Sequence, residues 1–316
     1  MIVTLTPNPS LDLTYELEKV LLGGVQRATE FSVEAGGKGI NVSRNLVANG
    51  VASRAVAPVG GPSGEQFLGL LEESGIELAR VPVSGPVRAN VTVVDREGVV
   101  TKINAAGPRL SAVEVDLLLE ETAAAGRGAD WVAACGSLPP GAPVDLLARV
   151  VEAARESGCR AVVDSSGAPL AAALKATPDV MKPNLEELSE IVDRRLTTFG
   201  DVLDAAEEVR AAGVSTLFVS LGADGAVLVD GSGARHADTP PFTPRSTVGA
   251  GDALLAGFLA AGGEGEAALV EGVAWGAAAA RLPGTRTLTP KDVDRESVRV
   301  HNDIDRERQL KGEAPR

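Results

Sequence analysis

Short β-branched runs alternate along the chain with longer stretches in which Ala, Leu, Val and Glu recur at helical spacing. Trp131-Val132-Ala133-Ala134-Cys135 is followed by a helix-like stretch at 143–157, then by Arg160-Ala161-Val162-Val163-Asp164 and Val180-Met181-Lys182. Helix-like stretches at 184–193 and 201–212 lead on to Thr216-Leu217-Phe218-Val219-Ser220. Apolar residues at a period of 3.6 predict amphipathic helices, and brief apolar runs between turn signals predict buried strands. The resulting βαβ rhythm predicts an α/β fold: a mostly parallel sheet with helices on both faces, whose ligands bind beyond the carboxyl ends of the strands.

Two segments break the rhythm. Residues 11–34 and 86–104 alternate polar and apolar, as in Arg88-Ala89-Asn90-Val91-Thr92-Val93-Val94-Asp95, a turn at Glu97-Gly98, and Val99-Val100-Thr101-Lys102-Ile103. Such strands form either a small separate sheet or a hairpin on the edge of the main one, and the pattern allows both. From about 302 to 316 the chain is charged and aperiodic, which predicts a poorly ordered tail.

Composition narrows the function. With 316 residues the chain can build one large domain, and 44% hydrophobic with 23% charged residues is ordinary for a soluble globular protein. Aromatics at 3% leave little for stacking on bases, and a net charge of -13 argues against nucleic acid as a partner. The same charge requires any anion site to gather its own cations. Cys135, Cys159, His236 and His301 lack the spacing of a zinc site. No run reaches membrane-spanning length and no basic, apolar leader opens the chain, so no membrane partner and a cytoplasmic location are expected.

Five segments carry candidate chemistry. Ser246-Thr247-Val248-Gly249-Ala250-Gly251-Asp252 precedes the apolar run 253–259, which places small residues and one carboxylate at a buried helix start. Free amides of a first helical turn attract an anion, glycines let it approach, and Asp252 could take a proton beside it; a plain N-cap and tight turn would use the same residues. Ala35-Gly36-Gly37-Lys38-Gly39-Ile40-Asn41 is a glycine turn before a helix ending near Gly50, without the Ser or Thr of a Walker A motif. Lys182-Pro183-Asn184-Leu185-Glu186-Glu187 reads either as a capping box of Asn184 and Glu187 or as an edge holding water-coordinated magnesium. Ser220-Leu221-Gly222-Ala223-Asp224-Gly225 reads as a nucleotide loop or as a hairpin turn, and Gly136-Ser137-Leu138-Pro139-Pro140-Gly141 as a stiff connection.

Taken in order, these segments and Thr6-Pro7-Asn8-Pro9-Ser10-Leu11-Asp12 resemble the ribokinase-like carbohydrate kinases of the phosphofructokinase B family over roughly 1–295. The resemblance implies a three-layer α/β/α fold in a single kinase domain with a small β-sheet lid from the two rhythm-breaking segments, pairing with a second subunit as a homodimer. It implies Asp252 as catalytic base and the amides of Gly249, Ala250 and Gly251 as an anion hole. Asp12, Gly37 and Asn41 match positions that hold sugar hydroxyls. Asn184 and Glu187 match the motif that organises Mg2+ through water at the ATP phosphates, and Lys182, Ser220, Gly222, Gly225 and Thr247 match the nucleotide side.

The opening Pro9-Ser10-Leu11-Asp12, Arg88 with Asn90, Lys102-Ile103-Asn104 with Gly107-Pro108, and Asp164-Ser165-Ser166-Gly167 are similar to the branch acting on phosphorylated ketohexoses, which adds Asn104 to the substrate side. Arg88, Lys38 and Arg27 are the candidate partners of the substrate's phosphate. Lys38 is similar to 1-phosphofructokinase and tagatose-kinase members, whereas 58–65 and Gly284-Thr285-Arg286 are similar to minor 6-phosphofructokinases. The expectation is ATP-dependent phosphorylation of fructose 1-phosphate, with fructose 6-phosphate or tagatose 6-phosphate as alternatives and a catalytically silent sugar-phosphate sensor as the rival class. A nicotinamide dehydrogenase is disfavoured, because no Gly-x-Gly-x-x-Gly turn follows the first strand.

Overall fold

Trp131 to Cys135 show why this sequence makes a two-sided sheet: all five are buried, Trp131, Ala133 and Cys135 in one core cluster and Val132 and Ala134 in another. A strand covered on both faces needs apolar residues at every position, not at alternate ones. The computed structural model describes residues 1–311 except Leu22, Gly98 and Thr285, so part of the expected 97–98 turn, Thr285 of the 284–286 motif, and 312–316 lie outside the described residues.

In chain order the strands are β1 (Ile2–Leu5), β2 (Ser10–Leu17), β3 (Glu30–Gly36), β4 (Ser53–Val59), β5 (Glu77–Pro82), β6 (Arg88–Asp95), β7 (Val100–Asn104), β8 (Trp131–Cys135), β9 (Arg160–Asp164), β10 (Val180–Met181), β11 (Thr216–Ser220), β12 (Ala226–Asp230), β13 (Gly233–Asp238) and β14 (Arg299–His301). The helices are α1 (Lys38–Ala48), α2 (Gly61–Glu73), α3 (Ala112–Gly126), α4 (Leu146–Glu156), α5 (Gly167–Leu174), α6 (Leu185–Ile191), α7 (Phe199–Ala211), α8 (Ala250–Ala260) and α9 (Gly265–Arg281).

The main sheet has ten strands in the order β14-β13-β12-β11-β10-β9-β8-β1-β4-β5. Pairs from β5 through β11 are parallel, while β11 to β14 form an antiparallel edge. Helices α3, α4, α6 and α7 cover one face and α1, α8 and α9 the other. The fold is ribokinase-like, as expected. Helix α8 is buried from Asp252 through Leu259, and Phe258 stacks on Phe218 of β11 with ring centroids 4.4 Å apart. Truncating such a core aromatic costs ~3–5 kcal/mol, so the helix start that carries Asp252 is firmly seated.

The two rhythm-breaking segments form their own sheet, ordered β3-β2-β6-β7. Asp12 faces Glu34 on one neighbour and Asn90 on the other, and Asn90 faces Asn104, so one face of this lid carries a polar row. Leu13, Val33, Val91 and Ile103 share the opposite parity, as period two requires.

The tail departs from expectation. Residues 302–311 lie along the start of α7, with Phe199 and Gly200 amides donating to the carbonyls of Arg308 and Arg306 at 3.1 and 2.8 Å. Charge and aperiodicity concealed this order because the segment is held by backbone bonds and ion pairs, which leave no apolar pattern.

Candidate active site

Helix α8 starts without a side-chain cap. Its N-cap is Gly249, in the left-handed region at φ 77, a conformation that costs a glycine nothing and leaves no side chain over the helix end. The Ala250 amide turns back on the Thr247 carbonyl at 3.4 Å and the Ala253 amide on Gly249 at 2.9 Å. Among the described residues the amides of Gly251 and Asp252 take no partner, so the positive end of the helix dipole is open.

Asp252 stands at this opening and is 7% exposed. Its Oδ2 accepts from Asn41 Nδ2 at 2.8 Å, and Asn41 Oδ1 in turn accepts from Arg44 Nη1 at 2.9 Å. Burial first, then the Asp164 charge, push the Asp252 carboxyl up to about 6, against the pull of Lys38, Asn41 and Lys182. A carboxylate in this range is a competent base near neutral pH.

Three strand ends meet beneath it. Asp164 ends β9, has no exposed surface, and binds two ammonium groups, Lys38 Nζ at 2.7 Å and Lys182 Nζ at 3.0 Å. Burial would raise the Asp164 carboxyl, but Lys182 and Lys38 outweigh it and hold it below the usual range. For Lys38, burial acts downward while Asp164, Asp252 and Glu187 hold the ammonium well above its ordinary value. Lys182 Nζ comes within 3.8 Å of where a Cβ on Gly251 would stand. Both lysines therefore sit below the open helix end as fixed cations.

Asn184 and Glu187 form a complete capping box on α6, with Glu187 N donating to Asn184 Oδ1 at 2.7 Å and Asn184 N to Glu187 Oε2 at 2.9 Å. The cap reading holds. It engages one lone pair of the Asn184 amide oxygen in the cap. Glu187 Oε1 stays clear of the box, 4.0 Å from Lys38 Nζ, and burial raises its carboxyl above the ordinary range. One available oxygen fits a cation held through water and not an all-protein cage.

In the small sheet, Asp12 Oδ1 accepts from Ser10 Oγ at 2.7 Å and Asn90 Nδ2 at 3.0 Å. A Cβ on Gly36, the last residue of β3, would overlap the Asp12 carboxylate, so a side chain there would push that carboxylate aside. Gly37, at φ 117, is the N-cap of α1 and starts the helix at Lys38. Arg88 Nη1 donates to the Ala105 carbonyl at 2.7 Å, and burial lowers its guanidinium against the opposing charge of Asp12. Asn104 is exposed at the end of β7, and Thr247 is exposed beside the anion turn. Arg27 is exposed on the connection between β2 and β3, and among the described residues no contact joins it to the site. Ser220, Gly222 and Gly225 close the hairpin of β11 and β12, with Leu221 N donating to the Gly225 carbonyl at 2.8 Å.

The structure thus brings together Asp252, Gly249 to Gly251, Asn41, Lys38, Lys182 and Glu187, and it keeps Arg27 apart. Sequence reading had quoted Asp164 in a motif without giving it a role. Its position at the carboxyl end of a parallel strand, where α/β sheets bind ligands, was the available signal. Asn8 was also missed: its Nδ2 donates to the Ala106 carbonyl at 3.0 Å and reaches Ser137 Oγ at 3.4 Å, tying the exit of the lid to the 136–141 connection.

Comparison with known proteins gives the family. Residues 6–292 match the pfkB family carbohydrate kinase. The chain is 36% identical over 260 residues to the 1-phosphofructokinase of Bacillus subtilis (strain 168), covering 82% of this chain and 85% of that protein. It is 36% identical over 300 residues to the ATP-dependent 6-phosphofructokinase isozyme 2 of Escherichia coli (strain K12), covering 93% and 97%. The crystal structure of phosphofructokinase-2 from Escherichia coli in complex with potassium superposes with a TM-score of 0.86 at 35% identity, covering 92% of this chain and 96% of the other. The chain therefore belongs to the pfkB family of carbohydrate kinases, and it is an ATP-dependent phosphotransferase with an alcohol group as acceptor.

Proposed function

We propose that the protein is a 1-phosphofructokinase, transferring the γ-phosphoryl group of ATP to the free primary hydroxyl of fructose 1-phosphate. The observation that carries the reading is the buried Asp252, held at about 6 beside the uncapped start of α8 with Lys38 and Lys182 below. Asp252 takes the hydroxyl proton as the substrate oxygen bonds to the γ-phosphorus and the bond from that phosphorus to the ADP oxygen breaks. Charge on the phosphoryl oxygens falls against the 249–251 amides and the two lysines. Asn41 aims the carboxylate, since its Nδ2 holds one oxygen and leaves the other to the substrate. Glu187 would help hold the Mg2+ that accompanies ATP, which would supply further neutralisation of phosphate charge.

Asp12, Asn90 and Asn104 form the polar row that holds sugar hydroxyls, with Arg88 at its end as the partner of the substrate's own phosphate. We assign Lys38 to the transferring phosphoryl group and not to the substrate's own phosphate, a reading supported by its ion pair with the buried Asp164. Ser220, Gly222, Gly225 and Thr247 line the nucleotide side. The apolar side of the lid, where Phe31 is 53% and Ile103 63% exposed, supports pairing with a second subunit. No helix among the described residues is long and apolar enough to cross a membrane.

The preference for fructose 1-phosphate draws on Lys38 in the glycine turn and on relatives that are 1-phosphofructokinases. The test is Mg-ATP-dependent turnover of fructose 1-phosphate, fructose 6-phosphate and tagatose 6-phosphate side by side, with the highest kcat/KM expected for the first. Preference for fructose 6-phosphate would instead group the protein with its 6-phosphofructokinase relative, and no turnover on any would defeat the sugar-phosphate reading.

A further inference from the structure

Asp224 lies in the turn of 3-10 helix Gly222–Asp224 that closes the hairpin of β11 and β12, and it is 1% exposed. A carboxylate so buried needs partners. Among the described residues, its side-chain partners all come from the C-terminal segment. Arg308 Nη2 donates to Oδ1 at 2.7 Å, the Lys311 amide donates to Oδ2 at 2.7 Å, and Lys311 Nζ lies 3.4 Å from Oδ1. Lys311 Nζ also donates to the Ala223 carbonyl at 3.3 Å. The Asp224 carbonyl accepts from His236 Nε2 at 2.6 Å, and His236 stacks on His301 of β14, which leads into the segment.

The other side of the segment grips α7. The amides of Phe199 and Gly200, which open that helix and have no carbonyl within it to bond, are satisfied by Arg308 and Arg306. Leu310 N donates to the Thr197 carbonyl at 2.9 Å, and the Arg308 guanidinium lies 4.6 Å from the Phe199 ring centre. Residues 302–311 lie beyond the 6–292 stretch matched to the family. They connect α7 to the very loop that the proposed function sets against the nucleotide.

We propose that residues 302–311 act as a strap that holds the 220–225 loop in its nucleotide-binding shape through Arg308 and Asp224, so that ATP affinity depends on the end of the chain and the sugar side does not. The inference rests on the nucleotide role proposed for that loop. Arg308 and Asp224 are positioning residues: Arg308 neutralises Asp224, Asp224 fixes the turn, and the turn presents Ser220 and Gly222.

The experiment compares full-length wild type, Arg308→Ala and Arg308→Lys by calorimetric titration with MgATP and by steady-state kinetics on fructose 1-phosphate, with thermal scans of each. Arg308→Ala should weaken MgATP binding and raise its KM about tenfold, the scale of one lost charge-assisted hydrogen bond. The KM for fructose 1-phosphate and kcat should stay within about twofold, since the strap touches neither the lid nor Asp252. Arg308→Lys, which keeps the charge and loses the fork, should fall between; if Arg308→Ala does not fold, this variant decides the matter alone by the same selective rise. Unchanged MgATP affinity in a folded variant, or equal losses in kcat and both KM values, would overturn the strap. A wild type that binds no MgATP would overturn the nucleotide assignment and the strap with it, whereas equal binding by wild type and variant overturns only the strap.

Discussion

Helices α6 and α8 begin with the same spacing and opposite outcomes. Each has a small or polar N-cap followed three residues later by an acid: Asn184 with Glu187, and Gly249 with Asp252. In α6 the two side chains satisfy each other's backbone amides. Gly249 has no side chain to offer, and Asp252 turns to Asn41 instead of its own helix. The boxes on α3 and α7 extend the contrast. Glu114 and Asp201 each accept backbone amides, from Ser111 and Ser84 and from Thr197 and Thr198, and both are pulled down to about 2. Asp252, at the same helical position, stands at about 6 because burial and Asp164 act on it without such bonds. The capped start of α6 is complete in itself, while the uncapped start of α8 leaves free amides beside a buried carboxylate whose pKa is raised.

The sharpest way to break this contrast is Asp252→Asn, which keeps the shape and removes the base. Turnover should fall at least ~10²-fold with MgATP and sugar binding kept within a few-fold, as steady-state kinetics and calorimetry would show; near-normal kcat would end the assignment.

Giving α8 the cap it lacks comes next. Gly249→Asn tolerates the left-handed backbone and sets an amide oxygen over the open donors, so kcat should drop about tenfold while the thermal midpoint holds or rises. A variant of unchanged kcat would show that the 249–251 amides do no catalytic work.

pH separates the carboxylates by sign. The log of kcat/KM should decline with unit slope below about pH 6, as Asp252 of the free enzyme gains its proton. The folded value of Asp252 is raised, so its contribution to stability is present below the usual carboxylate range and is lost as pH rises through about 6. Asp201 is depressed, so its contribution is present above the usual range and is lost as pH falls toward about 2. Thermal midpoints should therefore show Asp252→Asn gaining on wild type between pH 5 and pH 8, and Asp201→Asn trailing wild type throughout that span. The opposite order would refute the assigned environments.

Glu187→Gln should have the smallest effect. It retains an oxygen for the cap and removes the charge proposed to help hold magnesium, so the KM for MgATP should rise about threefold with the fold intact. A loss of stability with unchanged KM would return Glu187 to a purely structural role.

Legibility followed the physical reach of each signal. Strands β8, β9 and β11 and helices α4, α6 and α7 were visible because burial of a periodic face is written locally. The capping pair of Asn184 and Glu187 was visible for the same reason, since its atoms lie within four residues. Lys38 was legible as a cation but not as a partner of Asp164, because 126 residues separate them. The C-terminal segment was misread as loose because its order comes from contacts with α7 and Asp224 that no local pattern announces.

By itself, the order of amino acids determined the α/β rhythm, the break in that rhythm at the two lid segments, the glycine at the start of α8 and the acid three residues on. These follow from steric freedom, hydrophobic period and side-chain reach over one helical turn. Only the tertiary structure decided which acid closes a cap and which is buried against Asn41, that Asp164 draws two lysines to the strand ends, and that residues 302–311 are tied to Asp224. Charge interactions and desolvation depend on distances across the fold, and those distances exist only once the strands have set their ends side by side.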